Sequence, residues 1–193
     1  MTIDLYPPIV HEQDLSPDAF GPAIDDYCEE IHDAVKGFGA NKSAVIDGLA
    51  DQDATNRFKI SLRYKELYGK ELLQVMKKEF SGDFGAAMQF LSLPSDKAEA
   101  RMIRMATKGM GASVDILFSI CCGRTNTEIH MLKKAYFEMY TKDLNQVIAS
   151  ETRGDNERLL LTALQASEQE YDPLVHTKEK AIEDAAYIHS CGL

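Results

Sequence analysis

The chain has 193 residues, 45% of them hydrophobic and 27% charged, the mix of a globular protein and not of a disordered one. Acidic side chains number 31 against 21 basic ones, a formal net charge of −10, which repels nucleic acid and anionic lipid alike and argues against a nucleic-acid partner. No apolar run approaches the roughly 18 residues that a membrane span needs, and "MTIDLYPPIVHEQDL" has neither the basic nor the apolar region of a secretory signal.

Residues 1–21 read as an extended lead-in with prolines in "YPPIV" and "SPDAF". From there the apolar spacing predicts helices over about 22–35, 41–50, 54–67, 70–79 and 83–91, and again over about 95–107, 113–122, 126–139, 142–150 and 155–166. Ile60, Tyr64, Leu67 and Tyr68 share one helix face, as do Leu132, Tyr136, Met139 and Tyr140, and both stripes are expected in the core. Asn41, Asp53 and Ser95 are the predicted N-caps. "ASEQEYDP" reads as an acidic linker, and "HTKEKAIEDAAYIHS" as one more amphipathic helix with Ala181, Ile182, Ala185, Ala186 and Ile188 on its apolar side. No stretch alternates with the period of a strand.

A shift of 72 positions brings the two halves into register without a gap. Lys36, Gly37, Gly39 and Ala40 fall on Lys108, Gly109, Gly111 and Ala112; Tyr64 and Tyr68 on Tyr136 and Tyr140; Glu79, Gly82 and Asp83 on Glu151, Gly154 and Asp155. The loops "VKGFGANK" and "TKGMGASV" therefore recur with an acid at one fixed distance beyond the second glycine, Glu79 after Gly39 and Glu151 after Gly111. Glycines allow carbonyls to turn toward one point, and carbonyls, one carboxylate and water form a hard-oxygen set that suits calcium.

These features resemble the annexin repeat, whose signature is G-x-G-T, a spacer of set length, then Asp or Glu. "GFGA" and "GMGA" stand at that spacing before Glu79 and Glu151, and "YKELYGKELL", "MKKEFSGDFG", "YFEMYTKDL" and "GDNERLLLTAL" look like the body of the repeat. The resemblance covers roughly 22–190. It implies an all-α fold of annexin-type repeats, each a right-handed superhelix of five helices. The expected organisation is a lead-in at 1–21, a first repeat at 22–91, a second at 92–166, and a linker with the first helix of a truncated third at 167–193. A chain so divided is expected to be part of a longer array or to associate with itself.

The implied function is calcium-dependent binding to acidic phospholipid membranes by a cytoplasmic protein that joins the membrane peripherally when calcium rises. Carried over, the calcium ligands are the carbonyls of Val35, Gly37 and Gly39 with Glu79, and those of Thr107, Gly109 and Gly111 with Glu151. Phe38 and Met110, between the paired glycines, are expected to face the membrane, with Lys36 and Lys108 meeting phosphates. The family threonine is Ala40 and Ala112 here, and Asn41, Lys42, Ser113 and Val114 replace the acids that usually follow. Accessory ions at these loops lose their side-chain ligands, and a site with one carboxylate is expected to be weak without lipid.

Other chemistries fit less well. Lys42 and Val114 stand where a dinucleotide loop needs its third glycine. His11, His32, His130, His176 and His189 form no HExxH pair, and Cys28, Cys121, Cys122 and Cys191 show no metal or disulfide spacing, so buried free thiols are expected at Cys121 and Cys122. No nucleophile–base arrangement stands out, and no enzyme activity is expected. The alternative reading is a calcium-independent helical scaffold for protein partners.

Overall fold

The computed structural model describes residues 5–6, 20–37, 39–109, 111–169 and 171–192, and no strand occurs among them. The first five helices are α1 (Pro22–Ala34), α2 (Lys42–Leu49), α3 (Ala54–Tyr68), α4 (Leu72–Glu79) and α5 (Gly82–Leu91). The next five are α6 (Ser95–Ala106), α7 (Val114–Cys121), α8 (Asn126–Tyr140), α9 (Leu144–Glu151) and α10 (Gly154–Ala163), and α11 spans Lys178–Ser190. Both ends of α2, α3, α4 and α5 recur 72 positions later in α7, α8, α9 and α10, so the sequence register is also the structural one.

Each set of five closes on its own core. The first gathers Cys28, Ile31, Val45, Leu49, Ile60 and Met76, all at 0% exposure; the second gathers Ile103, Leu117, Leu132, Tyr136, Ile148 and Leu160, none above 1%. Full burial of one such aliphatic side chain contributes about 1.5–3 kcal/mol, which makes these stripes the main source of stability. Leu67 departs from its expected place in the stripe: it is 42% exposed, because position 67 has turned away from the line through Ile60 and Tyr64. The two cores meet across α5 and α6, where Arg101 donates to the Gln89 side chain at 2.6 Å and stacks 5.7 Å from the Phe90 ring.

Local chemistry explains the helix ends. Asn41 accepts from the amides of Ser43 and Ala44, and Asp53 from that of Asn56, as expected of N-caps. Ser95 does not cap: it is the first helical residue, Pro94 precedes it at φ −53°, and no side-chain bond closes that end. Thr125 and Glu128 instead form a reciprocal capping box on α8, and Asp143 and Thr177 cap α9 and α11. Helix α4 begins at Leu72, later than the expected 70, since Gly69 takes φ 64° and ends α3 in the left-handed region.

The repeats differ in how the hydroxyl of one buried tyrosine is met. Tyr64 Oη lies 3.1 Å from His32 Nδ1, whereas Arg104 stands at the equivalent of His32 and the Tyr136 hydroxyl, fully buried, has no hydrogen-bond partner among the described residues. An unpaired buried polar atom costs about 1–3 kcal/mol. Tyr136→Phe is therefore expected to be neutral or to stabilise by up to about 1 kcal/mol in urea unfolding, while Tyr64→Phe, which removes a made bond, is expected to destabilise.

All four cysteines are free. Burial pushes the Cys28 and Cys121 thiols up to about 12, so they act as packing groups and not nucleophiles. Cys122 is only half-buried, and Cys191 is exposed, so the expectation of a buried thiol holds for Cys121 and not fully for Cys122.

A second contact ties Leu5 and Tyr6 to the far set of helices. Their amides donate to one Glu128 carboxylate oxygen at 2.6 and 2.7 Å, and the Tyr6 hydroxyl donates to Glu99 at 2.7 Å. Arg124 pairs with both Glu99 and Glu128 and lies 5.4 Å from the Tyr6 ring centroid. Burial pushes the Glu99 carboxyl above its usual range, against the pull of Tyr6 and Arg124, and burial with Glu99 nearby pushes the Tyr6 hydroxyl up. Helix α11 stands apart: none of its residues is buried, and Ile182, Tyr187 and Ile188 are exposed. Its expected apolar side exists but lacks a covering element among the described residues.

Candidate metal site in the two glycine loops

Both loops between the first and second helices of a unit are built alike. The Asn41 amide donates to the Ala34 carbonyl at 2.8 Å, and the Ser113 amide to the Ala106 carbonyl at 2.9 Å. That single bond, at the same place in each unit, pins the ends of the loop and lets its middle stand out. Within it Gly37 and Gly39 take φ 86° and 88°, and Gly109 and Gly111 take 125° and 93°. A Cβ built on any of these four meets nothing within 4 Å. Glycine is needed there for its backbone freedom and not for space.

No described backbone N–H donates to the carbonyls of Val35, Gly37, Gly39, Thr107, Gly109 or Gly111. Thr107 is buried, with its hydroxyl committed to the Ile103 carbonyl at 2.9 Å, which leaves its carbonyl as the group it can offer an ion. Among the described residues no three His, Cys, Asp or Glu side chains gather in ligating range, so an ion at these loops leans on main-chain oxygen. That donor set fits calcium, which takes carbonyls and waters readily, better than zinc.

In the first unit a cavity of about 430 Å³ is lined by Val35, Lys36, Tyr64, Lys70, Lys78 and Glu79. It brings together Val35 of the loop, the flanking lysine and the distant acid, the last of which enters the chain three helices after the other two. Glu79 closes α4 with its side chain 24% exposed, and Lys78 Nζ lies 2.8 Å from its Oε1. The Glu79 carboxylate in turn holds the Lys78 ammonium above its usual value. Lys36 is occupied at the surface by Asp33, at 3.2 Å. In the second unit Glu151 closes α9 in the open and has no ion-pair partner among the described residues. Phe38 and Met110 lie outside the described residues.

Asn41 also accounts for a departure from the expected signature. Its side-chain oxygen caps α2 and is thereby withdrawn from an accessory ion. The pairing of Lys78 with Glu79 was not anticipated from the sequence, although the lysine adjoins the acid in plain view.

Comparison with known proteins agrees with this architecture. The family model described as Annexin matches residues 26–91 and 98–163. Human annexin A13 is 34% identical over 183 residues, 94% of this chain and 56% of its own length. Human annexin A7 is 34% identical over 92% of this chain and 36% of its own. Among solved structures, annexin III superimposes with a TM-score of 0.75 at 29% identity, over 92% of this chain and 52% of that one. A calcium-bound annexin (Sm)1 gives 0.69 at 28% identity, over 88% and 49%. The chain thus spans about half the length of relatives such as annexin A13, at 56%. No helix among the described residues is long and apolar enough to cross a membrane. With two matched repeats, five helices in each and the same glycine loop closed twice, the chain belongs to the annexin family, generally known for calcium-dependent phospholipid binding.

Proposed function

We propose that this chain binds acidic phospholipid membranes through calcium held at both glycine loops. The observation that carries the proposal is the duplicated loop: two open turns with left-handed glycines, each pinned by one equivalent hydrogen bond and each followed by a helix ending in Glu79 or Glu151. Val35, Gly37, Gly39 and Glu79 form the first ligand set, and Thr107, Gly109, Gly111 and Glu151 the second. The calcium in the related annexin (Sm)1 structure supports the choice of ion. Water or lipid phosphate oxygens complete the shell.

Charge gives this arrangement its logic. A protein at −10 is repelled by an anionic bilayer until a divalent ion reverses the local sign. A phosphate oxygen that completes calcium's shell tightens both ligands, because the coupling is reciprocal. Phe38 and Met110 would enter the headgroup region beside the ion, and Lys36 and Lys108 would each add about 1 kcal/mol at an anionic surface. We take 22–91 and 92–166 as the two membrane-binding units, with 1–21 as lead-in and 167–193 as the start of a third. The protein acts as a binding module at the cytoplasmic membrane face and not as an enzyme.

The test is vesicle pelleting. Vesicles with phosphatidylserine are expected to carry the protein down in calcium and to release it in chelator, and neutral phosphatidylcholine vesicles are expected to leave it in solution. Pelleting indifferent to calcium would favour the scaffold reading. One observation speaks for a protein contact as well: the apolar side of α11 is bare among the described residues. It is the place where a second copy, or further repeats of a longer chain, would sit.

A further inference from the structure

The two sites differ in charge at several positions, and one of these touches the acid itself. Lys78 immediately precedes Glu79, whereas the equivalent place before Glu151 is Ser150. Lys78 Nζ contacts Glu79 Oε1 at 2.8 Å, and both side chains line the cavity that reaches Val35 and Lys36. Ser150 turns back on its own helix and donates its hydroxyl to the Val147 carbonyl at 2.9 Å. Glu151 has no ion-pair partner among the described residues.

An ammonium in contact with a carboxylate is a cation already in residence. An ion that takes that carboxylate must first break the contact and then tolerate a like charge on the neighbouring residue. Both effects oppose filling of the first site; in the second Glu151 carries no such contact, because the nearby Arg153 is turned to the carbonyls of Ala149, Ser150 and Thr152. Because the Lys78 side chain is 82% exposed, water and salt weaken the effect. It is a bias of a few fold and not a block.

We propose that Lys78 is the resident counter-cation of the first loop and makes it the weaker of the two calcium sites, so that the Glu151 site fills first as calcium rises. The inference rests on the calcium reading above. It does not follow from the family signature, which Glu79 and Glu151 satisfy equally, but from the side chain beside each acid.

Equilibrium dialysis against calcium alone tests it on variants that isolate each loop. E151Q retains the first site and E79Q the second. The first is expected to bind about two- to fivefold more weakly than the second at low salt. Adding K78S or the neutral, similarly long K78Q to E151Q is expected to remove most of that gap. Adding S150K to E79Q is expected to create it, and about 0.5 M salt to shrink it. Circular dichroism melts check that each variant is folded. If both neutral variants at 78 leave the dissociation constant of the first site unchanged, the role of Lys78 is overturned while calcium binding stands. If E79Q and E151Q combined bind calcium as the parent does, the calcium reading falls and this inference falls with it.

Discussion

Glu79→Gln combined with Glu151→Gln is expected to abolish calcium-dependent pelleting with phosphatidylserine vesicles while leaving the fold intact. Each substitution keeps the shape of the side chain and removes the only carboxylate in its ligand set. Calcium held by neutral oxygens alone loses the charge that tunes affinity, and in calcium-binding loops affinity falls by orders of magnitude as ligand charge is withdrawn. The fold has little to lose. Glu151 lies in the open with no described ion pair, and Glu79 makes one contact, to the exposed Lys78, which water and salt screen. Each single variant is expected to raise the calcium needed for half-maximal pelleting, because two loops that engage one vesicle reinforce each other. Pelleting by the double variant at the parent's calcium level would remove both loops from the account.

Arg124→Ala is expected to cost about 3–5 kcal/mol in urea unfolding at pH 7, the range for one partner deleted from a buried ion pair. For a chain of this size, that lowers the melting temperature by roughly 6–20 °C. The Arg124 side chain is 4% exposed and faces Glu99 and Glu128, the latter 1% exposed. Its removal leaves two carboxylates in a poorly hydrated space with their counter-charge gone. Glu128 also caps α8 and receives the amides of Leu5 and Tyr6, so the loss spreads to the helix start and the lead-in. A contrast defines the claim: Lys36→Ala, which breaks the exposed pair with Asp33, is expected to cost about 0–1 kcal/mol. Equal costs for the two substitutions would mean that burial at Arg124 carries no weight.

Much of the architecture was legible because the sequence states it twice. Any misplaced helix end in one unit could be checked against the other, and the shared register survived into the helices. The glycine loops were legible for the same reason. The errors fall where local signals compete. Ser95 looks like a cap, yet Pro94 already fixes the turn before it. Leu67 fits the helical period, yet it lies at the edge of the stripe, where small rotations decide burial. The bonds of Tyr6 to Glu99 and Glu128 were not legible, since no periodicity links positions 93 and 122 residues apart. Half of that cluster nevertheless had a readable signal: "TNTE", Thr125 to Glu128, is a capping-box sequence.

The grip of Glu128 on Tyr6 has a consequence for biosynthesis. Tyr6 is made early, but the carboxylate that receives its amide comes 122 residues later. At translation rates of about 5–20 residues per second, the tyrosine waits roughly 6–25 s for its partner. By the end of that interval the whole first core around Ile31, Leu49 and Ile60, from Phe20 to Met88, has been synthesised. The clasp therefore forms later than the first unit, a latch that closes only once α8 has been made.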